Sequence, residues 1–450
     1  MKKFFTLKKL LIINYSLLIL TSCSVQQKIS KSAKQLVLKD SSLLTAHVGI
    51  SIYEPATGKY WYNYQGDKYF VPASNTKIPT CYAAMKYLGD SLKCFVTIEN
   101  DTALFILPEG DPTLLHPDFK HQPAFDFLKQ SKKKIYINEV MWKSEALGSG
   151  WSWNDYNESY MAERSPMPVY GNVLKWVQEG ENGKEPTTIY SVPEINWEVN
   201  FRSVEETKNF DVKRKIGENV FELLQSKEKY KELYVPFVTD GIKAALELLP
   251  DTIGKSISLM NDELFFKQFK KNDLSARYIK TQSTDSLLKP MMHNSDNFFA
   301  EQSLLMVSNE KLGVMNDEKI IDTLLKTDFK DLPQKPRWVD GSGLSRYNLF
   351  TPQDFVSILD KMKNEFGMDR IKVVLPTGGE GTISNYYKSD SSFIYAKTGT
   401  LGGVVALSGY MYTKKGKLLI FSTLVNNHQA SATAVRRAVE KFIHQLRIKN

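Results

Sequence analysis

The stretch PASNTK at residues 72–77 decides how this 450-residue chain is interpreted. Two strand-like runs, at residues 46–53 and 59–64, precede it, and apolar positions with helical spacing follow it, which predicts a helix starting near Ser74. Ser74 and Lys77 are then one turn apart on the same helix face. A serine hydroxyl is a weak nucleophile at neutral pH, but a nearby lysine can accept its proton if burial or positive charge lowers the lysine pKa. Taken alone, the pair is equally well explained by a helix cap followed by a solvated lysine.

A second short motif, SDN, lies at residues 295–297 and is followed by an apolar run typical of a helix start. Ser295 can relay a proton between Lys77 and a departing amine, and Asn297 can hold a substrate amide and orient Lys77. The simpler alternative is a cluster that caps the helix, for which Asp296 is a suitable residue.

A third motif, KTG, lies at residues 397–399, at the end of a strand-like run. An edge strand here can pair with an extended peptide, and Lys397 and Thr398 would bind the free carboxylate at the end of that peptide. Gly399 would let the substrate approach the backbone closely. We expect the backbone N–H groups of Ser74 and Thr400 to form the oxyanion hole. The alternative is an exposed lysine at a strand end.

Both ends of the chain predict elements that can share one antiparallel sheet. Strands are expected at 393–397, 403–412 and 417–425, and an amphipathic helix at 430–448. The inner face of that helix is predicted to contain Ala434, Val435, Val439, Phe442, Ile443 and Leu446.

The middle of the chain differs in composition, being rich in Trp, Tyr, Asn and Glu, and it contains many short strand-like runs. We therefore predict a catalytic domain formed by residues 41–95 and 271–450, with one or more inserted domains at 96–270.

The N-terminus has the pattern of an export signal, with basic residues followed by an apolar stretch. It ends in LTSC at residues 20–23, which resembles a bacterial lipoprotein signal. We predict a signal peptide at 1–22, lipidation of Cys23, a polar tether over 23–40, and a periplasmic protein anchored to a bacterial membrane. An uncleaved anchor helix, or an ordinary signal with a chance cysteine, is the alternative.

Charge and cysteine content exclude several other classes of protein. The net charge is +9, but four lysines lie in the first ten residues, so the rest of the chain carries about +5, without long runs of like charge. No nucleic-acid-binding motif accompanies this charge, so no nucleic-acid partner is predicted. Cys81 and Cys94 could pair or could be buried as small apolar residues, and no metal-ligand spacing surrounds them. No metal or organic cofactor is predicted.

The three motifs in this order are the signature of penicillin-recognising serine enzymes. Over residues 43–445 the chain resembles the low-molecular-mass class C penicillin-binding proteins, the D-alanyl-D-alanine carboxypeptidases/endopeptidases. Further matching segments are GDPTL at 110–114, YGN at 170–172, DGSGLSR at 340–346 and AKTGTL at 396–401. The 218 positions between Lys77 and Ser295 also suit this family, which has a large insertion there.

The resemblance implies an α/β fold of the α+β type, with a five-stranded antiparallel sheet flanked by helices and a large, mainly β insertion after the nucleophile helix. It implies cleavage of peptidoglycan stem peptides through an acyl-enzyme on Ser74, and acylation by β-lactam antibiotics. By similarity, Asp155, Tyr160 and Arg346 line a pocket for the far end of the stem peptide, where a carboxylate suits a free amine and an arginine suits a carboxylate. Tyr160 replaces an expected phenylalanine, and Gly402 stands where some members have glutamine.

Three alternatives were weighed against this interpretation. A β-lactamase shares the serine chemistry, but the chain has no Glu-x-x-Leu-Asn segment of the class A type. A non-catalytic peptidoglycan-binding lipoprotein on the same fold would be expected to have degenerate motifs, whereas all three are intact. A Ser-His-Asp hydrolase is disfavoured because the chain has no Gly-x-Ser-x-Gly segment. The sequence carries no signal for the oligomeric state.

Overall fold

The structure is a computed structural model that describes residues 25–181, 184–202, 209–269 and 275–450. The predicted signal peptide and Cys23 lie outside the described residues. Within the described part of the chain, no helix is both long and apolar enough to cross a membrane.

The strands, in chain order, are β1 (His47–Glu54), β2 (Lys59–Tyr64), β3 (Ser91–Glu99), β4 (Ala103–Pro108), β5 (Lys134–Ile137), β6 (Val173–Glu181), β7 (Lys184–Val192), β8 (Glu198–Phe201), β9 (Asp211–Arg214), β10 (Val220–Leu224), β11 (Tyr230–Pro236), β12 (Ile257–Leu259), β13 (Arg277–Ser283), β14 (Ile394–Leu401), β15 (Val404–Tyr412) and β16 (Leu418–Asn426). The helices are α1 (25–33), α2 (Lys77–Tyr87), α3 (Pro123–Gln130), α4 (Lys243–Ile253), α5 (Asp262–Gln268), α6 (Thr284–His293), α7 (Asn297–Leu312), α8 (Asp317–Lys326), α9 (Pro352–Val374) and α10 (Ala432–Lys449).

The chain divides into two compact units, and the first combines its two ends: residues up to 78, 331–338 and 348–450. Its centre is a five-stranded antiparallel sheet in the order β14-β15-β16-β1-β2. Because side chains alternate along a strand, the two faces of the sheet contact different helices. On β15, Leu407 joins the core cluster that includes α10, whereas the Tyr410 hydroxyl donates to the Leu359 carbonyl of α9 at 2.7 Å. The predicted fold, an antiparallel five-stranded sheet flanked by helices, is confirmed.

Residues 25–38 differ from the predicted tether. They form α1 and a following π-helical turn, Lys34–Leu38. The apolar side chains of Ile29, Ala33 and Val37 recur every four residues and are buried in the same core cluster as α10. The Ser32 hydroxyl also donates to the Gln445 Oε1 atom of α10 at 2.9 Å. The segment was predicted as a tether because most of its residues are polar, although three apolar side chains at helical spacing are buried.

The predicted inner face of α10 is correct except at one position. Val435, Val439, Phe442, Ile443 and Leu446 are buried, as predicted. Ala434 is exposed instead, and Ala438 takes its place in the core. The small alanines give little apolar signal, so the pattern did not distinguish the two.

The second unit contains residues 79–330 and 339–347. It holds one five-stranded sheet, β12-β5-β4-β3-β13, and two three-stranded sheets, β8-β10-β9 and β11-β6-β7. This agrees with the mainly β insertion that the resemblance implied. The unit also includes residues on both sides of the predicted insertion of 96–270. One reason is that β3, which begins at Ser91, is hydrogen-bonded to β4 and β13.

Helix α7 is a central element of the second unit, since its residues from Phe298 to Asn309 are all buried. It packs against α6 and α8. Cys81 and Cys94 both lie in this unit, where both are buried and neither forms a disulfide. Their state is therefore that of small buried residues rather than a disulfide.

Candidate active site

In the first unit, Ser74 lies in a short turn, Ala73–Thr76, that leads directly into α2. The preceding Ala73 has a positive φ of 48°, an unfavourable conformation for a residue with a Cβ and one that often marks functional turns. Ser74 is half-buried, whereas Lys77 is fully buried. The Lys77 Nζ atom donates to the Ser74 Oγ atom at 3.0 Å. The lysine is therefore directed at the serine hydroxyl and not at solvent.

Strand β14, which carries the KTG motif, lies against this turn and forms one edge of the sheet. The Asn75 side-chain amide donates to the Lys397 carbonyl oxygen at 2.9 Å and joins the two segments. A Cβ atom added to Gly399 would lie 2.6 Å from the Pro72 oxygen and 3.0 Å from the Ser74 nitrogen. Glycine at position 399 is thus what allows the strand to lie close to the serine backbone.

Lys397 is fully buried beside Lys77, and its Nζ atom donates to the Thr398 carbonyl oxygen at 2.7 Å. Burial, followed by repulsion from Lys77 and then from Arg436, lowers the pKa of Lys397 well below its usual range. Two amines in such an environment do not both retain a proton easily.

Two contacts in this region were not predicted. The Arg436 guanidinium of α10 donates to the Thr400 Oγ1 atom at 2.5 Å, and the Thr398 hydroxyl donates to the Thr382 Oγ1 atom at 2.7 Å. Arg436 lies on the polar side of an amphipathic helix, where charges are usually solvated, and neither Arg436 nor Thr382 belongs to a short motif. The sequence therefore offered no signal for either residue.

In the second unit, the SDN motif forms the N-terminus of α7. Ser295 has a positive φ of 63°, and the Asp296 carboxylate accepts a hydrogen bond from the Phe299 backbone N–H at 2.8 Å, so Asp296 caps the helix. The Asn297 side-chain amide donates to the Tyr160 carbonyl oxygen at 3.0 Å. The capping alternative is therefore correct for Asp296.

Asp155 and Tyr160 are brought together in the second unit. Burial, together with the charge of Asp155 and the hydrogen bond to its carboxylate, raises the pKa of Tyr160 to about 12. Tyr160 remains 45% exposed. With Ser295 and Asn297 it lines a cavity of about 400 Å³, whose far wall includes His116 and Tyr234. The second motif and Tyr160, one of the three residues predicted for the side-chain pocket, therefore share one cavity.

Arg346 belongs to the same unit and is exposed at the end of the DGSGLSR loop. The loop begins with the buried Asp340, whose two carboxylate oxygens accept from the Gly343 and Ser345 backbone N–H groups at 2.8 and 2.6 Å. The carboxylate thus fixes the backbone that carries Arg346.

The sequence model of the D-Ala-D-Ala carboxypeptidase 3 (S13) family matches residues 30–446. A D-alanyl-D-alanine carboxypeptidase from an Actinomadura species is 25% identical over 447 residues, covering 90% of this chain and 82% of the relative. The D-alanyl-D-alanine carboxypeptidase DacB of Haemophilus influenzae is 25% identical over 409 residues, covering 81% of this chain and 82% of the relative.

Solved structures show the same fold. Penicillin binding protein 4 of Haemophilus influenzae superposes with a TM-score of 0.71 at 21% identity and covers 93% of this chain and 98% of its own. A predatory peptidoglycan endopeptidase from Bdellovibrio bacteriovorus superposes with a TM-score of 0.54 at 14% identity, covering 90% of this chain and 94% of its own.

The family match spans almost the whole described chain, and it includes all three motifs. It confirms the predicted family and the predicted activity, that of a serine D-alanyl-D-alanine carboxypeptidase. The chain belongs to the D-Ala-D-Ala carboxypeptidase 3 (S13) family.

Proposed function

We propose that Ser74 is the nucleophile of this peptidase and that Lys77 is its general base. The observation that carries this proposal is the 3.0 Å hydrogen bond from a fully buried lysine to a half-buried serine hydroxyl. A lysine in that position can take the hydroxyl proton as the Ser74 Oγ atom attacks the carbonyl carbon between two D-alanines. The Oγ–C bond forms, and the carbonyl oxygen becomes an oxyanion. We assign the backbone N–H groups of Ser74 and Thr400 to its stabilisation.

Collapse of the tetrahedral intermediate breaks the C–N bond, and the departing amine must gain a proton. We assign this transfer to Ser295, with Lys77 as the source of the proton, and the binding of the substrate amide to Asn297. The order of the three motifs supports these roles. A water molecule then attacks the ester, which releases the shortened stem peptide and returns the proton to Ser74.

Recognition of the terminal carboxylate is assigned to Lys397 and Thr398. A bound carboxylate favours the protonated form of Lys397, which opposes the effect of burial on that amine. The proton would then stay on Lys397, leaving Lys77 as the base. Arg436, whose guanidinium contacts Thr400, adds a second positive charge to this region.

The edge position of β14 supports an extended substrate that pairs with its backbone. The same strand would align either a terminal D-alanyl-D-alanine or a D-alanyl cross-link, so the proposal includes both carboxypeptidase and endopeptidase action. It also includes β-lactams, whose ring amide would open on Ser74 to leave a stable ester. A Haemophilus influenzae relative was solved in complex with a β-lactam, and a Bdellovibrio bacteriovorus endopeptidase was solved acylated by penicillin G.

The far end of the stem peptide is assigned to Asp155, Tyr160 and Arg346. Two observations support this assignment. Tyr160 is hydrogen-bonded to Asp155, and it lines the same cavity as Asn297. A carboxylate and a guanidinium would together suit the amine and the carboxylate of a diamino acid side chain.

We further propose that the protein is exported to the periplasm and anchored by a lipid on Cys23. The lipoprotein-like segment at residues 20–23 supports this location. A Cys23→Ser variant should then leave the membrane fraction. If it still fractionates with membranes, the anchor lies elsewhere.

Hydrolysis of a stem pentapeptide ending in D-alanyl-D-alanine tests the nucleophile. Ser74→Ala should abolish D-alanine release, because it removes the atom that forms the acyl bond. Ser131→Ala, a serine far along the chain, serves as the matched control and should keep wild-type activity. Turnover that survives in Ser74→Ala would overturn the assignment.

A further inference from the structure

The second unit buries an ionic cluster that takes no part in the chemistry assigned to Ser74. Its members are Arg164, Glu301, Asp317 and Asp340, all of which are nine-tenths or more buried. The Arg164 Nη1 atom donates to the Asp317 Oδ2 atom at 2.6 Å and to the Glu301 Oε2 atom at 3.3 Å. Three carboxylates thus surround one guanidinium.

Arg164 also binds the segment that leads to Asp155. Its Nε and Nη2 atoms donate to the Glu145 carbonyl oxygen at 3.2 and 2.9 Å, and Nη2 donates to the Leu147 carbonyl oxygen at 3.3 Å. The guanidinium lies 5.6 Å from the ring centre of Trp151, four residues before Asp155. Because a guanidinium has a fixed planar set of donors, it holds this segment in one arrangement.

Glu301 connects the cluster to the first turn of α7 and to the loop that ends at Arg346. It lies four residues after Asn297 on α7, so the two side chains are one turn apart on the same helix. The Glu301 Oε1 atom accepts a hydrogen bond from the Ser342 backbone N–H at 2.7 Å, within the loop that ends at Arg346.

Asp340 joins the segment before Asp155 to the loop before Arg346. Its Oδ2 atom accepts from the Trp151 Nε1–H at 3.0 Å as well as from the loop backbone at Ser345. The segment before Asp155, the first turn of α7 and the loop before Arg346 therefore meet at one set of buried charges.

Such a cluster is a poor source of stability compared with apolar packing, because each charge must be removed from water. Burial, followed by repulsion from Asp340, raises the pKa of Glu301 to about 7, which reflects this cost. What the cluster supplies is directional hydrogen bonding, which apolar side chains of the same volume cannot provide. Its presence behind three segments of one proposed pocket indicates a role in positioning.

We propose that Arg164 and Glu301 are positioning residues that fix the three segments bearing Asp155, Asn297 and Arg346 relative to one another, and so set the enzyme's preference for a diamino acid in the stem peptide. This inference rests on the proposed role of Asp155, Tyr160 and Arg346. It predicts that disturbing the cluster affects recognition of the stem peptide more than it affects acylation of Ser74.

The test compares two stem pentapeptides ending in D-alanyl-D-alanine, one with diaminopimelate at its third position and one with norleucine there. The ratio of their kcat/KM values measures the preference, and the rate of acylation by benzylpenicillin reports on the Ser74 chemistry. Glu301→Gln keeps the shape of the side chain but turns an amide towards Arg164. We expect the preference ratio to fall about tenfold more than the acylation rate does, mainly through KM for the diaminopimelate peptide.

Arg164→Lys, which keeps the charge but loses the planar donors, should act in the same direction. Glu310→Gln, an exposed position on the same helix, is the matched control and should leave the ratio unchanged. If Arg164→Lys does not fold, Glu301→Gln decides the outcome alone.

Asp155→Ala distinguishes the assignment of the pocket from the positioning role of Arg164 and Glu301. If Asp155→Ala lowers the preference ratio and Glu301→Gln does not, the positioning role is wrong and the pocket stands. If neither Asp155→Ala nor Arg346→Ala changes the ratio, the pocket itself is wrong, and the positioning role falls with it. An equal loss of preference and acylation in Glu301→Gln would also overturn the inference, because it would indicate a general structural role.

Discussion

The Ser74 region of the first unit and the proposed pocket of the second unit are organised in different ways. Around Ser74, the important groups come from two short motifs, and the contacts between them are short and local to a turn and one strand. Around the pocket, the segments that carry Asp155, Asn297 and Arg346 come from distant parts of the chain, and each of them contacts a buried ionic cluster or adjoins a residue of it. A hydrogen bond between Lys77 and Ser74 can be formed by two residues of one short motif. A pocket made of three distant segments also needs buried groups that hold those segments together.

The comparison predicts that the largest effects come from the Ser74 region. Lys77→Met keeps the buried volume but removes the amine that contacts the Ser74 hydroxyl, which we propose is the base. We expect kcat/KM for a D-alanyl-D-alanine peptide to fall by about 10²–10⁴-fold, the range typical of a general base. The measurement is D-alanine release, with the exposed Lys68→Met as control. A loss below about tenfold would mean that another group takes the proton.

Gly399→Val tests whether the close approach of β14 to the serine turn is needed. The new side chain would meet the Pro72 oxygen and the Ser74 nitrogen, so the strand must move away from the nucleophile. We expect acylation by benzylpenicillin to slow by about 10²-fold or more, as for other displacements near 1 Å in an active site. Gly416→Val, in a turn with no atoms near its added Cβ, controls for the substitution, although its positive φ carries some strain. Wild-type acylation in Gly399→Val would contradict the described packing.

Lys397→Ala sharpens the comparison within the first unit. A charge-assisted hydrogen bond to the terminal carboxylate is worth about 1.5–3 kcal/mol, so we expect KM for the peptide to rise by about 10- to 100-fold. Peptides that end in an amide instead of a carboxylate should lose less, since they lack the carboxylate whose binding we assign to Lys397. Equal losses for both peptides would place Lys397 in the chemistry of Ser74 and not in carboxylate recognition.

The last prediction concerns the stability of the fold and not catalysis, and it involves the ionic cluster. Because the pKa of Glu301 is raised from 4.5 to about 7, the folded protein binds a proton that the unfolded chain releases between these values. Its contribution to stability is therefore present below pH 4.5 and lost as the pH rises towards 7, by on the order of 3 kcal/mol in total. Urea unfolding of wild type and Glu301→Gln at pH 5 and pH 8 measures this. The stability of wild type relative to Glu301→Gln should fall with rising pH, and a difference that stays constant would contradict the shift.

The sequence predicted the sheet of the first unit well. Its strands have alternating or continuous apolar patterns with clear turns between them, so β1, β2, β14, β15 and β16 were all predicted. The bounds agree within one residue except for β14, which continues four residues beyond the predicted end, to Leu401. The segment at 25–38 was missed as a helix because only three of its side chains, Ile29, Ala33 and Val37, are in the core. A stripe that narrow is easily hidden by the many polar residues around it.

The site was predictable to the extent that it is local in sequence. Ser74, Lys77, Lys397 and Gly399 were identified because two motifs carry them. Arg164 and Arg436 were not, since an arginine in a mixed segment is normally solvated, and only the fold shows which residues it contacts. Contacts of this kind are formed between distant segments, and a single sequence contains no pattern that records them.

The most direct test of the central claim is the mass of the intact protein after exposure to benzylpenicillin, followed by peptide mapping. Our account predicts a stable adduct of one drug molecule on the peptide that contains Ser74, and no adduct in Ser74→Ala. An adduct on another residue, or none while the drug stays intact, would contradict the assignment of Ser74 as the nucleophile. Rapid hydrolysis of the drug without an adduct would indicate a β-lactamase instead.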